Sequence, residues 1–233
     1  MFLHSHPYPP ILFRGATKWI VGTLPPPRFT TGELKPGDVN FCYGSRDGQF
    51  WIILDRIFQL GLKFENSKEA VQQRLDFLKG EGIGICDIVQ SAQREKVDAS
   101  DLGMQQVELR DLIAYLQDYP SVNTLLFTGG NSKNGPEYFF RRLLKQYGIG
   151  LHRRSDRIPR IHEFTLPGRS PKTDASDNVA AQRVIKTVSL IAPSGAANRA
   201  VGSMDAYKAM KQKDPGLTTL DFRVQLYSPF FLE

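Results

Sequence analysis

Apolar positions along the chain follow two periods. Four short runs, "WIVGT" (19–23), "IGICDIV" (83–89), "TLLFTGG" (124–130) and "TVSLIAP" (187–193), are continuous rather than alternating. Continuous runs of that length, bounded by Gly and Pro, predict strands buried on both faces of a parallel sheet. Between them the period becomes helical. "NSKEAVQQRLDFLKGEG" opens with an Asn66 to Glu69 capping box, sets Val71, Leu75 and Leu78 on one face and stops at Gly80. "GPEYFFRRLLKQYG" starts with Pro136 in its first turn, buries Phe139, Phe140, Leu143 and Leu144, ends at Gly148, and leaves Arg141, Arg142 and Lys145 to solvent. "RDLIAYLQDYP" is a shorter helix closed by Pro120, and "SMDAYKAMKQK" another that opens at Ser203 or Asp205. Strands alternating with helices predict an α/β fold, with helices on both faces of a four-stranded parallel sheet.

In such a sheet, ligands sit outside the carboxyl ends of the strands. Here those ends run into "GTLPPPRF", "CDIVQSAQRE", "TGGNSKNG" and "APSGAANR", all rich in Gly, Pro or small polar residues that let a ligand approach backbone closely. No "GK[ST]" and no strand-following G-x-G-x-x-G occurs, which argues against nucleoside triphosphates and nicotinamide cofactors. In "VNFCYGSRDGQFWIIL", Phe50 and Trp51 read as helix core, while Phe41 and Tyr43 precede a Gly-Ser-Arg-Asp-Gly turn and can stack on a planar ring. The last loop gathers Pro193, Ser194, Gly195, Asn198 and Arg199, a set that brings bare backbone amides and a guanidinium near an anion.

Composition narrows the picture. At 233 residues and 26.3 kDa the chain suits one large domain spanning 1–233, and a net charge of +6 leans toward a polyanionic partner. The stretch 149–174 carries Arg153, Arg154, Arg157, Arg160, Arg169 and Lys172 among Pro159, Pro167 and Pro171. It reads as an irregular insertion, either solvated or a mobile arm touching phosphates. Cys42 and Cys86 are too few for a disulfide framework or a four-cysteine metal site. His4 and His6 have a spacing that can hold a metal, but a frayed terminus explains them better, and no metal is expected. No apolar stretch of membrane length and no signal pattern is present, so a soluble, cytoplasmic chain is expected.

Four blocks in order, "IVGTLPPP", "FCYGSRDGQFWIIL", "GIGICDIVQSAQRE" and "LIAPSGAANR", with "LLFTGGNS" as a weaker fifth, resemble the uracil-DNA glycosylase superfamily, nearest its mismatch-specific and hypoxanthine-type branches. The resemblance implies a three-layer α/β/α sandwich around a four-stranded parallel sheet. It also implies excision of a deaminated base flipped out of DNA, without a cofactor, by a monomer acting on double-stranded DNA. Carried over by position, Gly22, Thr23, Leu24 and Pro25 belong to the catalytic loop, Phe41, Tyr43 and Ser45 to the base pocket, and Asp87 lies near the base-reading point. Pro193, Ser194, Gly195, Asn198 and Arg199 then belong to the loop that grips a phosphate.

The departures are as informative. Relatives that excise uracil carry a water-orienting Asn or Asp where this chain has Leu24. The hypoxanthine-type relatives carry an Asn where it has Gly48. Asp47 is the carboxylate nearest both gaps, a candidate for chemistry or a turn-capping residue. Asp87 is a second catalytic candidate, with helix capping as the alternative. Asn131 and Ser132 read as an Asx-turn, and Ala196 or Ala197 is too small to fill the gap left by a flipped base. A silent damaged-DNA-binding protein is therefore the alternative to a glycosylase, and a hydrolase of free nucleosides a more distant one.

Overall fold

A computed structural model describes residues 1–155, 157–168 and 182–232. In chain order its elements are β1 (Phe2–Ser5), β2 (Lys18–Val21), α1 (Pro27–Thr31), α2 (Phe50–Phe58), α3 (Lys68–Gly80), β3 (Ile83–Ile85), β4 (Val89–Arg94), β5 (Gln105–Leu109) and α4 (Leu112–Asp118). They continue with β6 (Thr124–Phe127), α5 (Pro136–Gln146), β7 (His152–Ser155), β8 (Arg160–Leu166), β9 (Arg183–Ser189), α6 (Asn198–Ser203), α7 (Asp205–Lys213) and α8 (Thr219–Phe231).

The main sheet has six strands in the order β3-β2-β6-β9-β8-β7, not the four expected. Its β3, β2, β6 and β9 run parallel, and β8 and β7 extend it antiparallel. The added strands come from the stretch read as an irregular insertion. In β8, His162, Phe164 and Leu166 are buried on alternate positions, and the strand pairs with β9 from Arg160↔Ser189 to Leu166↔Arg183. Arg154 and Arg160, two of the arginines offered there as phosphate contacts, sit in ion pairs with Glu163 and Glu137. Arg169 and Lys172 lie outside the described residues.

A second, antiparallel sheet of three strands, β1-β4-β5, holds the N-terminal segment. That terminus is not frayed. His4 is fully buried, and its Nδ1 accepts the Arg94 Nε–H at 2.8 Å. Two helix starts also differ from the expectation. The cap of α3 is Ser67, whose hydroxyl accepts the Ala70 N–H, and α7 begins without a side-chain cap because Met204 occupies the cap position, while Ser203 ends α6 with its hydroxyl bonded back to the Ala200 carbonyl. On α5, Arg141 is not simply solvated, since it pairs with the buried Glu137.

Alternate residues of the parallel strands feed two cores. Trp19, Val21, Leu125, Phe127 and Ile185 pack with α4 and α5, while Ile20, Ile83, Ile85, Leu126 and Val188 pack with α2, α3 and α8. Helices therefore cover both faces of the parallel strands, and a site in such a sheet is expected at their carboxyl ends.

Candidate functional site

A cavity of about 450 Å³ opens at the carboxyl ends of the parallel strands. Thr23, Leu24 and Pro25 line it from the loop after β2, Tyr43, Ser45 and Asp47 from the turn before α2, and Asp87 from the segment after β3. Pro193, Ser194 and Gly195 close it from the loop after β9. Phe50, read as core, is both buried and part of the wall. Of the other residues singled out in the sequence, Gly22 lies beneath the cavity. Phe41 is instead a core residue, its ring centroid 6.0 Å from that of Trp51.

Asp87 is held by three donors. Its Oδ1 accepts the Gly22 N–H and the Tyr43 hydroxyl, each at 2.6 Å, and its Oδ2 accepts His6 Nε2–H at 3.0 Å. This is a pocket carboxylate and not a helix cap. The close approach needs glycine at 22, since a Cβ there would stand 2.3 Å from the Tyr43 hydroxyl oxygen. Burial first, and the Asp87 charge second, push the Tyr43 phenol well above its ordinary pKa, so the hydroxyl stays protonated and donates. Tyr43 itself holds φ of 58°, and its ring lies 4.5 Å from that of Phe50. The neighbouring Cys42 thiol is also raised by burial and by Asp87, which leaves it a poor nucleophile.

The rim is organised by ion pairs. Arg28 binds the buried Asp38 through two hydrogen bonds, at 2.7 and 2.9 Å, and reaches Ser45 Oγ at 2.8 Å and Asp47 at 3.2 Å. Burial alone would raise the Asp38 pKa, but the bonds from Arg28 and from the Arg46 and Lys35 backbone N–H groups outweigh it and hold it at about 2. Asp47 is 67% exposed at the mouth of the cavity. Thr23 is fixed from the other side, its hydroxyl donating to Asp101 at 2.9 Å.

The two outer loops are joined. Gly48 and Ser194 form an antiparallel bridge, and the Gln49 N–H donates to the Pro193 carbonyl at 2.8 Å. Beneath them lies Arg223 of α8, fully buried, which donates to the Ala192 and Ser194 carbonyls, to Gln49 Oε1 and to Asn198 Oδ1. Asn198 is thus a structural partner and does not line the cavity, and Arg199 stands exposed beside the loop.

His6, Thr128 and Arg223 are among the residues that the sequence did not single out for the site. The spacing of His4 and His6 was noted, but a frayed terminus explained the pair better than a metal. Among the described residues no group of three or more His, Cys, Asp or Glu is placed to hold a metal ion. No helix among them is long and apolar enough to cross a membrane.

No protein-family model and no curated protein matches the chain. Among solved structures it is similar to the solution structure of a Methanosarcina acetivorans protein provisionally named a uracil DNA glycosylase. The TM-score is 0.51 at 15% identity, over 95% of this chain and 99% of that one. The two chains share a fold along almost their whole lengths.

Proposed function

We propose that this chain removes a deaminated base, uracil, hypoxanthine or a relative, from double-stranded DNA by hydrolysing its N-glycosidic bond, acting as a monomer in the cytoplasm. The observation that carries the reading is the cavity at the strand ends, of a size for one base, with Tyr43 and Phe50 in its wall and the Asp87 carboxylate held by three donors at its floor. The shared fold supports it.

Cleavage builds positive charge on the sugar and negative charge on the departing base. Asp47 and Asp87 are the carboxylates that line the cavity. Asp87 has most of its acceptor capacity filled, so it suits contact with the base. Asp47, at the mouth, suits the water and the sugar. The backbone of Pro193 to Gly195, with Arg199 outside it, is the surface offered to the flanking phosphates.

Oligonucleotide duplexes with a single uracil, hypoxanthine or xanthine, incubated at protein excess and then treated with alkali, test this directly. Strand breaks are expected at one or more lesions, and their absence across all of them removes hydrolysis. One observation favours a second reading, a damaged-DNA-binding protein without turnover: Leu24 and Gly48 offer no polar side chain, and Asp47 is engaged by Arg28. Salt-sensitive binding of the same duplexes without breaks selects that reading.

A further inference from the structure

The N-terminal segment reaches the floor of the cavity through one side chain. His6 is fixed on both sides: its backbone N–H donates to the Gln90 carbonyl at 2.8 Å, and its ring Nδ1 accepts the Tyr8 N–H at 3.2 Å. An acceptor at Nδ1 puts the ring proton on Nε2, which then donates to Asp87 Oδ2. The His6 side chain is 2% exposed, so water does not compete for the contact.

The count of lone pairs on Asp87 then becomes restrictive. A carboxylate offers about four acceptor positions. Gly22 and Tyr43 fill those of Oδ1, and His6 fills one of Oδ2. We propose that His6 is a positioning residue that leaves Asp87 a single open acceptor at the cavity, so that the occupant must present an N–H or O–H at that point. The inference rests on the proposed entry of a base. Without His6, a water can take the vacated room, and a water turns to donate or accept as the occupant requires. The requirement for a donor would then relax while the cavity keeps its shape.

Two probes isolate this. In 1-methyluracil the ring carries one N–H, and in 1,3-dimethyluracil a methyl group replaces it. The unsubstituted chain should bind the first more tightly by about tenfold or more, the scale of one hydrogen bond to a charged group. His6→Leu should bring the two affinities within about threefold of each other, and His6→Gln, whose amide donates at similar reach, should restore the preference. A change confined to folding stability would instead weaken both probes together.

Equal binding of the two probes by the unsubstituted chain, or an undiminished preference in a folded His6→Leu chain, overturns the inference. If His6→Leu does not fold, the imidazole nitrogen shifts of the unsubstituted chain decide. A proton on Nε2 with Nδ1 bare is expected, and the opposite tautomer overturns it. Selective binding with no lesion cut supports this inference while removing hydrolysis. Equal cleavage of uracil and N3-methyluracil duplexes does the reverse.

Discussion

Replacing Gly22 by alanine places a methyl group 2.3 Å from the Tyr43 hydroxyl oxygen and 2.9 Å from both Asp87 Oδ1 and Thr128 Oγ1. The Tyr43 ring packs on Phe50, and its hydroxyl must retreat by about 1 Å before the contact becomes ordinary. That retreat breaks the 2.6 Å bond to Asp87. A hydrogen bond to a charged group contributes about 1.5–3 kcal/mol and overpacking costs about 1–3 kcal/mol, so Gly22→Ala should destabilise the fold by about 4 kcal/mol. For a chain of this size the melting temperature should drop by about 10 °C.

Tyr43→Phe alone loses the bond but not the packing, a cost of about 2 kcal/mol. In the double variant the new methyl group occupies the room left by the hydroxyl. The combined cost should then be about 3 kcal/mol, against about 6 for simple addition. Equilibrium urea denaturation of the four chains measures this coupling. Additive costs, within about 0.5 kcal/mol, would refute the claim that Gly22 is required by the Tyr43–Asp87 contact.

Asp47→Asn should leave stability within about 0.5 kcal/mol, because the side chain is exposed, and should slow single-turnover excision about tenfold, read on a uracil duplex at protein excess. Arg223→Met should cost about 3 kcal/mol by stranding the Ala192 and Ser194 carbonyls, and Arg223→Lys should recover only part of it, measured by thermal melting with hydrogen exchange at 192–198. Asp38 has a folded pKa below its unfolded value, so its contribution is present above about pH 4 and lost as pH falls toward about 2. Acid titration should show about 2 kcal/mol of such loss that Asp38→Asn removes. Arg199→Ala should lower the salt slope of duplex binding by about one unit, and an unchanged slope places the phosphate contacts elsewhere.

The parallel strands were legible because burial on both faces makes their sequence continuously apolar: Ile20 and Trp19 face opposite cores and neither can be polar. The strands beyond β9 were not, since β7 is exposed along most of its length and β8 buries only alternate positions, and arginines that pair with Glu137 and Glu163 read as solvated charge. The short β1 was hidden for a similar reason, the Nδ1 of its buried His4 being bonded by Arg94, a partner that only the fold supplies. At the site, the loops after β2 and β9 were evident from Gly, Pro and small residues. His6 was not, because its partner Asp87 lies 81 positions away, and Arg223 was not, because Gln49 lies 174 positions away. No local spacing encodes such pairs. The structural tie of Asn198 was hidden for the same reason: its Oδ1 accepts from Arg223, 25 positions away.

The bridge between Gly48 and Ser194, with Arg223 beneath it, also bears on how such a rim can change over generations. Loops that share hydrogen bonds and a common cationic anchor are inherited as one part, because exchanging either alone strands the groups of the other. A designer grafting a new rim onto this scaffold would have to carry Gln49, the 192–198 segment and Arg223 together as a cassette, though they come from three distant stretches of the chain. Variation that re-aims the cavity can therefore accumulate most freely in the loop after β2, where Thr23 is held by Asp101 and not by that anchor.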